Sequence, residues 1–163
     1  MNEWWKKGVF LAGGWHPLAA QLRRTVNQSS LLEEQYPWNY TEERVRHLVE
    51  AGVDLVICQF DRGLGDSDAK QEHENSRILA GLCHQYGIRH GAYLANSVYF
   101  ESMLKDYPDC EDWVMHNSQG KFVYYGGEQT FRWIVCFNSP PWRERMKKII
   151  AKAIFEIKTD LLH

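Results

Sequence analysis

The sequence predicts an α/β fold built on a parallel sheet, and three observations carry that expectation. Between Tyr40 and Leu94 the chain twice passes from an amphipathic helical stretch through a glycine into an apolar run, the pattern of a βαβ unit with right-handed crossovers. The run Val53-Asp54-Leu55-Val56-Ile57-Cys58-Gln59-Phe60 is nearly continuous in apolar and β-branched residues, as in a strand covered on both faces. Met146, Ile149, Ile150, Ala153, Ile154 and Ile157 then recur at spacings of three and four, one helical stripe leading to a last apolar stretch.

Taken in order, Val9-Phe10-Leu11-Ala12 reads as the first strand, running into the turn Gly13-Gly14-Trp15-His16-Pro17. Residues 18–39 form a polar loop with a short helical hint at Gln21-Leu22-Arg23-Arg24 and an aromatic lead-in at Tyr36-Pro37-Trp38-Asn39-Tyr40. Thr41 stands at an N-cap, Glu42 and Glu43 place negative charge in the first turn, and Val45, Leu48 and Val49 make the apolar side before Gly52. After the second strand, ending in Asp61-Arg62-Gly63, a helix is expected from Ser67 or Asp68, with Ile78, Leu79, Leu82, Cys83 and Tyr86 on one side and Gly87 as its stop. Ile88 to Leu94 is the third strand.

Residues 97–138 far exceed the usual loop of about 2 to 6 residues. Phe100 to Tyr107 suggests a brief helix, while Lys121 to Tyr125 and Thr130 to Phe137, flanking Gly126-Gly127-Glu128-Gln129, read as a β-hairpin. Ser139 is placed as N-cap and Pro140 at the first helical position of the next helix. Thr159-Asp160-Leu161-Leu162-His163 opens a fourth strand, and ending there the chain reads as a single domain cut at that strand.

With 44% hydrophobic and 25% charged residues, a net charge of -2 and a pI near 6.4, the composition is that of a globular domain. It supplies no basic field for nucleic acid or an anionic membrane. No segment approaches the roughly 20 apolar residues of a membrane span, and no secretory signal is visible. A cytoplasmic location is the expectation, although a processed secreted form would leave the same sequence. Cys58, Cys83, Cys110 and Cys136 lack paired spacing and read as reduced thiols; Cys136 reads as structural, since no histidine is placed beside it by spacing. The histidines show no His-Glu-x-x-His motif, so neither a metal site nor a cofactor is expected.

Strands near Val9, Val53, Ile88 and Asp160 with helices between them fit a partial TIM (β/α)8 barrel of about four β/α units, with the long loop or hairpin after strand three. A doubly wound sheet would show a glycine-rich phosphate loop, which Gly13-Gly14-Trp15-His16 is not. Trp15-His16, Tyr40-Thr41-Glu42-Glu43, Gly52-Val53-Asp54-Leu55-Val56 and Tyr86-Gly87-Ile88-Arg89-His90-Gly91-Ala92-Tyr93 resemble the N-terminal half of α-L-fucosidase-like glycoside hydrolases and related glycosyl hydrolases. Cys136-Phe137-Asn138-Ser139-Pro140 and Asp160-Leu161-Leu162-His163 resemble the approach to their fourth strand. The resemblance spans nearly the whole chain. It implies a catalytic Asp at the end of strand four, beyond His163. The His-His pair of classical fucosidases after strand two is replaced here by Gln59-Phe60-Asp61-Arg62.

In a barrel the C-terminal strand ends form the active face, so Trp15, His16, Gln59, Asp61, Tyr93 and Asn96 are expected to share one bowl. The polar groups among them can bond sugar hydroxyls, and Trp15 and Tyr93 offer stacking faces. Asn138 joins these as a substrate-binding candidate from the stretch before the last helix. Glycoside hydrolysis needs two carboxyl groups about 5 to 9.5 Å apart. Asp61, Glu101 and Glu128 are the carboxyls on offer, Asp61 being equally readable as an ion pair or turn former and Glu128 as a solvated turn residue. Three readings follow: a glycoside hydrolase part that binds carbohydrate without its own nucleophile, a non-catalytic carbohydrate-binding module, or a small self-contained α/β binding protein. The open edges of a half barrel also predict association between copies.

Overall fold

The computed structural model describes Lys6 and residues 8–13 and 37–163. Trp15, His16 and most of the loop after the first strand lie outside the described residues.

Four parallel strands form one sheet in sequence order: β1 (Leu11–Gly13), β2 (Leu55–Asp61), β3 (Arg89–Leu94) and, after an excursion, the strand Leu161–Leu162. That strand is β6, because the excursion contributes β4 (Val98–Phe100) and β5 (Arg132–Ile134) to a separate antiparallel pair. Leu11 lies beside Leu55, Leu55 beside Arg89, and Gly91 beside Leu161. The β/α alternation foreseen in the sequence is therefore present.

Helix α1 (Glu42–Glu50) begins where its cap dictates: the Thr41 hydroxyl oxygen accepts the Arg44 N–H at 3.3 Å. Val45 and Leu48 are buried against the sheet, while Val49 faces outward. Helix α2 (Asp66–Gln85) starts slightly earlier than expected and stops before Gly87, whose φ of 75° is the left-handed conformation that glycine adopts without strain. Helix α3 (Pro140–Ala151) has Pro140 at its first position; Ser139 sits at the N-cap, but its side chain makes no capping bond.

The stripe expected to run straight through α3 is interrupted. Residues Lys152–Ile157 form a π-helical turn, which shifts the phase of the side chains, so Ala153 and Ile157 stay buried while Ile154 and Phe155 point outward. None of the described helices is long and apolar enough to cross a membrane.

The hairpin in the excursion is formed, with Tyr125 N–H donating to the Arg132 carbonyl and Ile134 N–H to that of Val123, both at 2.8 Å. The sequence pattern did not reveal the partner on its other side: Val98, Tyr99 and Phe100 pair with Ile134, Trp133 and Arg132. The expected brief helix is a 3-10 turn, Glu101–Lys105. Tyr99 is fully buried, stacked on Trp142 at 5.3 Å and edge-on to Trp133 at 5.7 Å. These rings belong to the same cluster as Phe60 and Ala92 of the parallel sheet and Ile149 of α3, so the excursion packs its apolar side into the main body.

Candidate functional site

Alternation along the parallel strands sorts their side chains into two layers. Val56, Cys58 and Phe60 of β2 join buried clusters with residues of α1, α2 and α3. Ile57 and Gln59 lie on the other side. With Leu11 and Gly13 of β1, Tyr93 of β3 and His163, they line a hollow of about 140 Å3, to which Cys58 also contributes. Gly91, paired with Ile57 across β2 and β3, leaves no room for a side chain, because a Cβ there would sit 2.9 Å from the Ile57 side chain. The volume is well below the roughly 300 to 1,000 Å3 of a drug-sized pocket, so the hollow admits one small ring.

Gln59 is buried, Tyr93 half-buried and His163 exposed, which grades the wall from a dry base to an open rim. The rings of Tyr93 and His163 contact each other, since the register that sets Ala92 beside Leu162 makes them neighbours. Of the residues expected in the bowl, the structure thus brings Gln59 and Tyr93 together. In the sequence His163 shows only as a strand residue; period-two alternation from Leu161 is the signal that places it on this side.

Asp61 does not join them, and the reason is local. Between Gln59 and Asp61 the β2–β3 register shifts: Gln59 lies beside Tyr93, but Asp61 lies beside Leu94. The extra residue is a β-bulge, and it turns the Asp61 side chain to the helix side. There the carboxylate is fully buried, accepting the Gly63 N–H at 2.7 Å and the Arg145 guanidinium at 2.9 Å. It is both an ion pair and a turn former, but with Arg145 of α3; the neighbouring Arg62 pairs instead with Glu72.

Asn96 is exposed just beyond β3, where its backbone carbonyl accepts the Trp142 indole N–H at 3.2 Å. Asn138 is exposed in the turn before α3, and Glu128 is exposed at the hairpin tip. Glu101 opens the 3-10 turn after β4. Among the described residues, no carboxylate lines the hollow.

Behind the sheet, His90 is enclosed by Cys58 (3.1 Å), Ser76 (3.3 Å) and Thr159 (3.1 Å). Burial pulls its imidazole down to about 4 and pushes the Cys58 thiol up to about 11, so both are neutral at pH 7 and the contact is structural. All four cysteines are free thiols. Among the described residues, no group of three or more His, Cys, Asp or Glu side chains is placed to hold a metal ion.

No family model and no curated protein sequence matches the chain. Solved structures do. A noncanonic maltogenic α-amylase from Thermotoga neapolitana aligns over 99% of this chain and 39% of its own, with a TM-score of 0.62 at 10% identity. An α-galactosidase from Thermus thermophilus aligns over 94% and 30%, with a TM-score of 0.60 at 18% identity. An α-galactosidase from Lactobacillus brevis aligns over 94% and 20%, with a TM-score of 0.61 at 13% identity. The chain thus spans about two fifths or less of the length of these neighbours. At such identities the likeness is one of fold, and it does not single out fucosidases: the chain has the β/α architecture found in part of the TIM barrel of glycoside hydrolases.

Proposed function

We propose that this chain forms a carbohydrate-binding face of a glycoside-hydrolase-like barrel, and that the face binds sugar without cleaving it. The observation that carries the reading is the hollow on this face of the sheet, which runs from Leu11 and Ile57 to Gln59, Tyr93 and His163 toward the C-terminal ends of their strands. In (β/α)8 barrels this end of the sheet is where ligands are held. The Gln59 amide offers a donor and an acceptor to neighbouring hydroxyls, and the two rings offer apolar faces to a pyranose. The Thermus thermophilus α-galactosidase is known in complex with p-nitrophenyl α-D-galactopyranoside and with stachyose, which makes galactosides sensible first ligands.

The same geometry argues against turnover by these residues. Hydrolysis needs paired carboxyl groups; the Asp61 carboxylate is committed to Arg145 on the helix side, and Glu128 is exposed at the hairpin tip. In the glycoside-hydrolase-like reading these residues contribute the binding of sugar.

Calorimetric titration with galactose, maltose and stachyose tests this. Saturable binding of at least one, abolished by Tyr93→Ala, is expected, together with no release of nitrophenolate from p-nitrophenyl α-D-galactopyranoside. Absence of binding to all three would remove the saccharide reading; nitrophenolate release would remove the non-hydrolytic one. Copies of the chain are also expected to associate, because β1 and β6 each have one hydrogen-bonded neighbour among the described strands and Leu11 is half exposed. A strictly monomeric sedimentation profile would refute that.

A further inference from the structure

Arg145 is one turn into α3, on the same side as the buried Trp142, Met146 and Ile149, yet it carries a guanidinium into that apolar layer. One nitrogen, Nη2, donates to Asp61 Oδ2 at 2.9 Å, to the Leu64 carbonyl at 2.9 Å and to Asp66 Oδ1 at 3.4 Å. Three consecutive parts of the chain therefore converge on it: the tip of β2, the connecting loop and the first turn of α2. Asp66 extends the network to the excursion by accepting the Tyr107 hydroxyl at 2.6 Å.

The position of Asp61 decides what this network does for the hollow. Without the bulge, strict alternation would put residue 61 on the same side as Ile57 and Gln59, and a carboxylate would enter the space that Gln59 and Tyr93 now line. The bulge is held at three points: the Asp61 carbonyl accepts the Ala95 N–H at 2.7 Å, and the Asp61 carboxylate accepts the Gly63 N–H and is paired with Arg145. Buried ionic groups are stable only when partnered, so the guanidinium is what makes the outward orientation of Asp61 acceptable.

We propose that Arg145 is a positioning residue of the hollow: by holding Asp61 on the helix side it fixes the bulge, and the bulge fixes where the Gln59 amide points. The binding arm of this inference rests on the saccharide reading; the conformational arm does not. Only Nη2, at the far end of the guanidinium, makes these contacts, while Nε and Nη1 have none among the described residues, so what Arg145 supplies is a charge at that reach, which the shorter lysine side chain does not place at the same point.

The test uses the full chain and its Arg145→Lys and Asp61→Asn variants, with Arg143→Lys, an exposed position on the same helix, as control. The side-chain amide resonances of Gln59, identified by their disappearance in Gln59→Leu, are followed by NMR well below the thermal midpoint of each variant. They are expected to move in Arg145→Lys and Asp61→Asn and to stay in place in Arg143→Lys. Affinity for maltose is expected to weaken about tenfold in the first two, the loss of one well-placed hydrogen bond. If Arg145→Lys does not fold, Asp61→Asn decides alone. Unmoved Gln59 resonances in both, or equal movement in the control, would overturn the proposal. Failure of the parent chain to bind maltose, galactose or stachyose would count against the saccharide reading, while the resonance shift would still decide the positioning role.

Discussion

Tyr93 and His163 face each other across neighbouring strands, their ring centroids 5.6 Å apart and their planes 34° from parallel. An aromatic pair of this kind contributes about 1 kcal/mol beyond its buried area. His163→Ala is therefore expected to lower the free energy of unfolding by about 1 kcal/mol and to weaken galactose or maltose binding several-fold. Urea denaturation and calorimetry check the two effects. A variant that loses stability but binds as before would remove His163 from the hollow's function.

His90 gives the fold a pH dependence whose sign is fixed by its burial. Its imidazole titrates near 6.5 in an unfolded chain but is pulled down to about 4 in the folded one, mainly by burial and then by the charge of His84, against an opposing pull from Asp160. Stability is thus complete above pH 6.5 and falls as the pH drops toward 4, because only the unfolded chain takes up the proton in that window. The loss from His90 integrates to about 3 kcal/mol. His73, also lowered chiefly by burial, contributes with the same sign. Urea midpoints measured from neutral pH down to about pH 5 should fall in the parent and fall less in His90→Gln. Equal slopes would show that another group carries the effect.

The thiols should divide by accessibility. Burial pushes Cys58 and Cys110 up to about 11 and Cys83 up to about 12, and all three are enclosed, whereas Cys136 is half-buried. Reaction with iodoacetamide at mildly alkaline pH is expected to modify Cys136 first, the others following only in denaturant. Peptide mass spectrometry reads the order. Early labelling of Cys58 in the native protein would contradict its enclosure behind His90.

Gly63 is required by both conformation and space. Its φ is 78°, and a Cβ at this position would overlap the Val98 carbonyl oxygen and lie 2.7 Å from the Tyr99 Cα. The Gly63 carbonyl also accepts the Phe100 N–H at 2.8 Å, tying the end of β2 to β4. Gly63→Ala should cost about 2 kcal/mol or more, seen as a lower thermal midpoint. Gly120, with φ of 74° but nothing within 4 Å, is the comparison; Gly120→Ala should cost about 1 kcal/mol.

The sequence made local structure legible wherever one residue settles one geometry. Thr41 as cap, Gly87 as stop and Pro140 as first helical residue all lie where chain chemistry puts them. Position at the C-terminal strand ends singled out Gln59 and Tyr93 in the sequence, and both line the hollow. The same signal failed at Asp61 because a bulge is decided by a partner 84 residues away, and nothing in Gln59-Phe60-Asp61 announces Arg145. A charged residue within the buried side of α3 was the available signal, masked by the apolar stripe around it. The pairing of β4 with β5 was hidden for a similar reason: Val98-Tyr99-Phe100 is too short to show a period, and its strand character comes from contacts with Trp133 and Trp142.

Because Tyr99, Trp113 and Trp133 share one apolar cluster with Phe60, Ala92 and Ile149, the antiparallel excursion has no interior separable from the sheet below it. Hydrogen exchange should then show the amides of β3 and β5 opening together in one cooperative unit rather than as a soft appendage over a hard base. The same sharing makes the insertion hard to prune. Excising it would strip the cover from Phe60 and leave the barrel layer wet, so its retention is a requirement of folding before it is one of recognition.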